Sequence, residues 1–120
     1  MRLARGQVFR RDIVIRRGAE FFEDVDVVDL PSTTRCYEPL DLNAYSVAWQ
    51  IRTGSDVDGS LVASFYVVPQ DLEHGQHGVG FTRSQTDAFE ANLSVGTWYA
   101  YYNDEVLGYG NVAVKDPDDA

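Results

Sequence analysis

At 120 residues and 44% hydrophobic content, the chain is long enough for one modest core and too apolar for intrinsic disorder. Its lone cysteine excludes an intrachain disulfide framework, and no apolar run approaches the ~20 residues that cross a bilayer. A formal charge of −9 argues against a general nucleic-acid binder, because phosphate contacts draw on clustered lysine and arginine.

Residues 1–17 carry Arg2, Arg5, Arg10, Arg11, Arg16 and Arg17 against the single acid Asp12, a sum of +5 that leaves −14 on the rest of the −9 chain. The segment reads as a basic arm running into the first strand, set to meet the chain's own acidic body, a second copy or another acidic surface; a solvated terminus is the plain alternative. Arginine rather than lysine favours planar, bidentate contact with carboxylates. The start MRLARGQVFRRDIVIRRG lacks the continuous apolar stretch of a secretory signal, so export by that route is not expected.

The dominant period is two, which predicts half-buried strands. Val8–Ile15 is the first, with Ile13 and Ile15 on one face, and Gly18 breaks it. In Phe21–Val28 the residues Phe21, Glu23, Val25 and Val27 share one face, and the acids Asp24 and Asp26 send the other to water. Residues 29–44 read as a long connection rich in turn formers. Ser46–Arg52 alternates cleanly, with Val47, Trp49 and Ile51 inward and Gln50 and Arg52 outward. Ser60–Val68 is predicted as one strand that aligns Leu61, Ala63, Phe65 and Val67, ended by Pro69 and followed by a loop, QDLEHGQHG. Val79–Phe81 is a short strand.

Thr82–Leu93 departs from this pattern, and its spacing predicts a helix of about two turns capped near Ser84. In the next strand, after Gly96, Trp98, Ala100 and Tyr102 share one face and Thr97, Tyr99 and Tyr101 the other. Leu107–Val114 closes the fold, and residues 116–120 form an acidic tail. About seven strands with one short helix before the penultimate strand point to a single all-β domain over residues 8–115, a two-sheet antiparallel sandwich.

The order RRGAEFF, LDLNAYSVAWQIRTG, GVGFTRSQTDAF, GTWYAYYN and VLGYGNVAV resembles the small immunoglobulin-like domains of tailed-bacteriophage virions, similar to the N-terminal domain of upper baseplate proteins. Asp41, Leu42, Asn43, Ala44 and Tyr45 stand where that family has a D-L-[ST]-G-Y element, and Gln50, Ile51 and Arg52 end the following strand. Phe81, Thr82, Thr86 and Phe89 fit the family's helical turn, and Gly96, Trp98 and Tyr99 its next strand. The likeness covers most of residues 8–115 through sandwich patterns rather than chemical signatures. The chain departs from the family at Ala44, where glycine is usual, and in a longer stretch over 29–40. The resemblance implies an immunoglobulin-like fold and a structural role in the virion, with assembly in the host bacterial cytoplasm and no catalytic residues to carry over.

Several residues invite a chemical reading. His74 and His77, with Glu73 and Asp71 near, have zinc-like spacing, but they fall in a glycine-punctuated loop without a metalloprotease helix; ordinary solvated side chains are the alternative. Asp56, Asp58 and Gly59 match part of a calcium loop without its later ligands, so a hairpin turn reads better. Cys36 beside Arg35 reads as a free thiol. Asn92–Ser94 matches a glycosylation sequon, which has no meaning without export.

The strongest binding candidates are Tyr99 and Tyr101 on the outward face, with Tyr109. Such rings suit a protein interface or a sugar platform, though tyrosines that simply pack at a rim are the alternative. No phosphate loop and no nucleophile–base pair is evident. The expectation is therefore a non-enzyme without cofactor or metal, in which the arginine arm and a sheet face dock onto other virion proteins. Multiple copies in a symmetric tail or baseplate assembly are expected, with no nucleic-acid or membrane partner. The competing readings are a capsid decoration (cement) protein, separable by copy number, and a carbohydrate-binding module using Tyr99, Tyr101 and Tyr109.

Overall fold

The computed structural model describes residues 1–29, 37–54, 58–89 and 96–116. In chain order they form β1 (Arg2–Ala4), β2 (Phe9–Arg10), β3 (Ile13–Arg16), β4 (Phe21–Asp29), β5 (Glu38–Pro39), β6 (Val47–Thr53), β7 (Leu61–Ser64), β8 (Tyr66–Asp71), a 3-10 turn (Leu72–His74), β9 (Gln76–Phe81), α1 (Arg83–Asp87), β10 (Gly96–Tyr102) and β11 (Glu105–Lys115). The first sheet runs β1-β4-β9-β8, with β5 also on β4; the second runs β2-β11-β10-β6-β7, with β3 also on β11. The two pack face to face as an all-β sandwich. Leu3, Val25, Val27, Phe65, Val79 and Phe81 meet Ile15, Trp49, Ile51, Trp98, Val112 and Val114 in one buried core.

The sheets are mixed rather than wholly antiparallel as expected. β1 lies parallel to β4, and β2 and β3 lie parallel to β11. These pairings correct the expectation of a basic arm. Leu3 is fully buried, and Ile13 and Ile15 are core residues, so residues 1–17 form the edges of both sheets. An eleven-residue β11 is long enough to take β2 and then β3 along one side. The break between them, at Arg11 and Asp12, is pinned by Trp98 Nε1, which donates to the Arg11 carbonyl at 2.7 Å. A Cβ at Gly110 would overlap that same carbonyl oxygen, so the approach requires glycine there.

The stretch read as one strand over Ser60–Val68 is two. β7 pairs with β6 in the second sheet and β8 with β9 in the first, and Phe65 sits buried at the crossing. Pro69 does not end β8, because an edge strand tolerates a missing N–H. The expected loop after it contracts to the 3-10 turn, closed by Gly75 at a left-handed φ of 76°, and β9 begins at Gln76. α1 is shorter than expected and is capped by Thr82 rather than Ser84. Thr82 Oγ1 accepts from the Gln85 N–H while Gln85 Oε1 accepts from the Thr82 N–H, a reciprocal box. Thr86 anchors the helix through its hydroxyl to the Ala19 carbonyl at 2.8 Å.

Candidate docking faces

The outward residues of the second sheet follow from its register. Tyr109, Tyr99 and Gln50 stand abreast on β11, β10 and β6, with Arg10 of β2 beside Tyr109. Thr97 pairs with Arg52 and Asn111, Ala113 with Val14, and Lys115 with Arg16. Arg10, Arg16, Arg52 and Lys115 thus share one face with Tyr101, Tyr109 and Val14, which is 48% exposed. Among the described residues Asp12 and Asp116 carry carboxylates beside them; Asp12 lies 3.7 Å from Arg10 and accepts from the Asn111 N–H. Arg52 is held by neutral acceptors, Gln50 Oε1 at 2.8 Å and the Gly59 carbonyl at 2.9 Å. Within a chain of −9, this face is cationic.

The outward face of the first sheet has the opposite character. Phe22, Asp24 and Asp26 of β4 lie across from Gly80, Gly78 and Gln76, and Tyr66 and Val68 of β8 from Gly80 and Gly78. A Cβ at Gly78 would overlap the Phe22 ring, so that ring leans across β9; Tyr66 leans over Gly80 in the same way. Phe22 and Val68 remain 44% and 41% exposed. Around them, Glu20 lies 3.4 Å from the Tyr66 hydroxyl, and Asp24 accepts from Gln70 Nε2 at 2.9 Å. Burial and the Glu20 carboxylate both raise the Tyr66 pKa. Asp26 accepts from Arg2 Nε and a second guanidinium nitrogen at 3.0 and 2.9 Å.

The six arginines of residues 1–17 are therefore distributed rather than clustered. Arg2 and Arg5 lie on the first sheet against Asp26 and Asp29, and Arg11 reaches Glu23 at 2.7 Å. Arg17 bridges to Asp116 at 2.8 Å, and Arg16 donates to the Asp116 carbonyl. In an acidic body an arginine finds a carboxylate within its own chain, and exposed pairs of this kind contribute about 0.2–1 kcal/mol each. Of the three candidate tyrosines, Tyr99 is buried, its ring centroid 6.1 Å from that of Tyr101; Tyr101 and Tyr109 are half-buried. The structure brings Arg10, Arg16 and the tyrosines to one face. It adds Arg52, Lys115 and Val14, which the segment-by-segment charge count passed over although strand parity already placed Arg52 outward.

The histidines do not come together. His74 is exposed and paired with Asp71 at 2.9 Å, a hydrogen bond that raises its pKa. His77 is not in a loop but on β9, fully buried, with Nε2 2.7 Å from the Tyr102 hydroxyl. That hydroxyl accepts from Trp49 Nε1–H at 3.1 Å and shares a hydrogen bond with His77 whose direction follows the imidazole tautomer. Burial pushes the His77 pKa down and the Tyr102 pKa up; the Gly78 backbone opposes the His77 shift, yet Nδ1 has no well-aligned partner. Among the described residues, no group of three His, Cys, Asp or Glu is arranged to hold a metal ion, and no helix is long and apolar enough to cross a membrane. Cys36, Asp56, Asn92–Ser94 and the tail from 117 lie outside the described residues.

No family model matches the chain. No curated protein matches it either. Among solved structures it is similar to Drosophila Semaphorin 2a, at 15% identity and a TM-score of 0.40, over 91% of this chain and 15% of that one.

Proposed function

We propose that this protein is a structural assembly component that works by docking folded faces onto protein neighbours, and that its setting is the tailed-phage virion, as a tail or baseplate adaptor or fibre anchor. The observation that carries the docking reading is the cationic, tyrosine-bearing outer face of the second sheet on a chain whose net charge is −9. Such a face attracts acidic protein surface, steers encounter and fixes register, while half-buried rings supply contact area at low entropic cost. The virion setting rests on the sequence resemblance. Its Asp41–Tyr45 element is a tight turn in which Asp41 Oδ1 accepts from the Asn43 N–H at 3.0 Å and Tyr45 N–H donates to the Leu42 carbonyl, delivering the chain into β6.

No catalytic step and no cofactor enter this reading. Repetition around a symmetric particle multiplies weak contacts through effective concentration. Quantitative gel analysis of purified particles tests it. A few copies per particle support the tail or baseplate placement, a copy for every capsomer moves the protein to capsid decoration, and absence from particles overturns the virion role. The carbohydrate reading keeps Tyr101 and Tyr109, which are half-buried on the same face, and not Tyr99, which is buried.

A further inference from the structure

We infer that the acidic neighbour of the cationic face is a second copy of this chain, seated head to tail, with the outer face of the first sheet of one copy covering the outer face of the second sheet of the next. This rests on the docking reading above and names its partner. Charge complementarity carries it. The first sheet presents Glu20, Asp24 and Asp26 against the guanidinium of Arg2 and the Met1 ammonium, whereas the second presents Arg10, Arg16, Arg52 and Lys115 against Asp12 and Asp116. Asp24, Asp26, Gln70 and Gln76, with Met1 and Val25, line a shallow depression of about 380 Å³ on this face, where the Met1 ammonium is occupied by the Asp24 carbonyl at 2.8 Å and Glu23 at 3.7 Å. Its carboxylate and carboxamide oxygens are the acceptors a planar guanidinium requires. Arg10 is the natural occupant, its side chain 57% exposed and only loosely held by Asp12 at 3.7 Å.

The apolar surfaces match as well. Beside the depression, the Phe22 ring leans over Gly78, and Val68 is exposed next to it. A ring lying across the sheet offers its π-face outward, where an arginine stacks favourably. On the opposite side of the sandwich, Tyr109 lies beside Arg10 and Val14 lies further along the same face, and both offer apolar surface in return. Because the two faces lie on opposite sides of one molecule, the contact is heterologous. Each added copy leaves one acidic and one cationic face open, so the assembly closes as a ring or grows as a stack.

Sedimentation velocity on the full chain, from micromolar to millimolar concentration and at low and half-molar salt, tests the proposal. We expect concentration-dependent association that weakens in salt. Asp24→Arg and Arg10→Glu should each weaken it about tenfold or more. Mixing the two variants should restore it, since each copy then meets the opposite charge. Val68→Ser reads the apolar contact without a charge change, and thermal unfolding confirms that each variant is folded. A chain that stays monomeric at millimolar concentration in low salt, or variants that associate as well as the parent, overturns the inference. A monomeric chain found in particles removes the second-copy partner and leaves the docking reading standing; self-association without incorporation into particles keeps the second-copy partner and removes the virion setting.

Discussion

The Tyr102 hydroxyl lies 2.7 Å from His77 Nε2 at the centre of the sandwich, where burial beside the Trp49 ring favours the neutral imidazole. Because burial lowers the folded-state pKa of His77, the unfolded chain binds a proton before the folded chain does. Stability should therefore be full above the unfolded value near 6.5 and fall as pH drops below it, by at most about 1.4 kcal/mol per pH unit until the folded form titrates. His74 has the opposite sign: its raised pKa adds stability below about 6.5 that is lost as pH rises, a small effect because the pair is exposed. Urea unfolding across pH 5–8 should show the acid slope in the parent and in His74→Gln, and a flatter profile in His77→Gln. An unchanged slope in His77→Gln would assign it to other groups.

Deleting residues 1–11 should unfold the protein rather than release an appendage. Leu3 is fully buried, and β1 and β2 supply sheet edges. Far-UV circular dichroism and the thermal transition of the truncated chain check this; a folded truncation with an unchanged midpoint would contradict it. By contrast, Arg5→Ala, which removes only a 3.8 Å exposed pair, should cost less than about 1 kcal/mol.

Gly110→Ala should be among the most damaging single methyl additions, at about 3 kcal/mol or more, because the new Cβ meets the Arg11 carbonyl and the Trp98 indole together. Chemical denaturation measures this directly. Trp98→Phe, which leaves that carbonyl without its 2.7 Å donor, should cost about 1–3 kcal/mol.

The helix start separates two caps. Thr82→Ala removes the acceptor for the Gln85 N–H and should cost about 1 kcal/mol, whereas Ser84→Ala, inside the helix, should fall within about 0.5 kcal/mol of zero. Equal effects in thermal melts would mean that the capping box contributes little.

Alternation made much of the core legible. Val47, Trp49 and Ile51, and likewise Trp98, Ala100 and Tyr102, pack inward as their spacing implies. The same alternation hid the sheet switch at Phe65, because Ala63, Phe65 and Val67 all contribute to one core whichever sheet their backbone joins. Gly78 reads as loop because the ring that lies over it comes from another strand, at Phe22. The docking faces were obscured for a related reason. Charge counted along the chain separates Arg10 from Arg52 and Lys115, whereas register brings them onto one face. Parallel pairing to β11 left no local mark, since it joins positions such as Asp12 and Asn111, 99 residues apart.

That pairing also sets the order in which the protein can form. β2 and β3 have no partner strand until β11 has left the ribosome, so the second sheet gains its outer edge only after β11 emerges. Non-local contacts of this kind make folding slow, and until they form Ile13 and Ile15 stay uncovered. A nascent chain therefore leaves β2 and β3 without their sheet partner until β11 emerges.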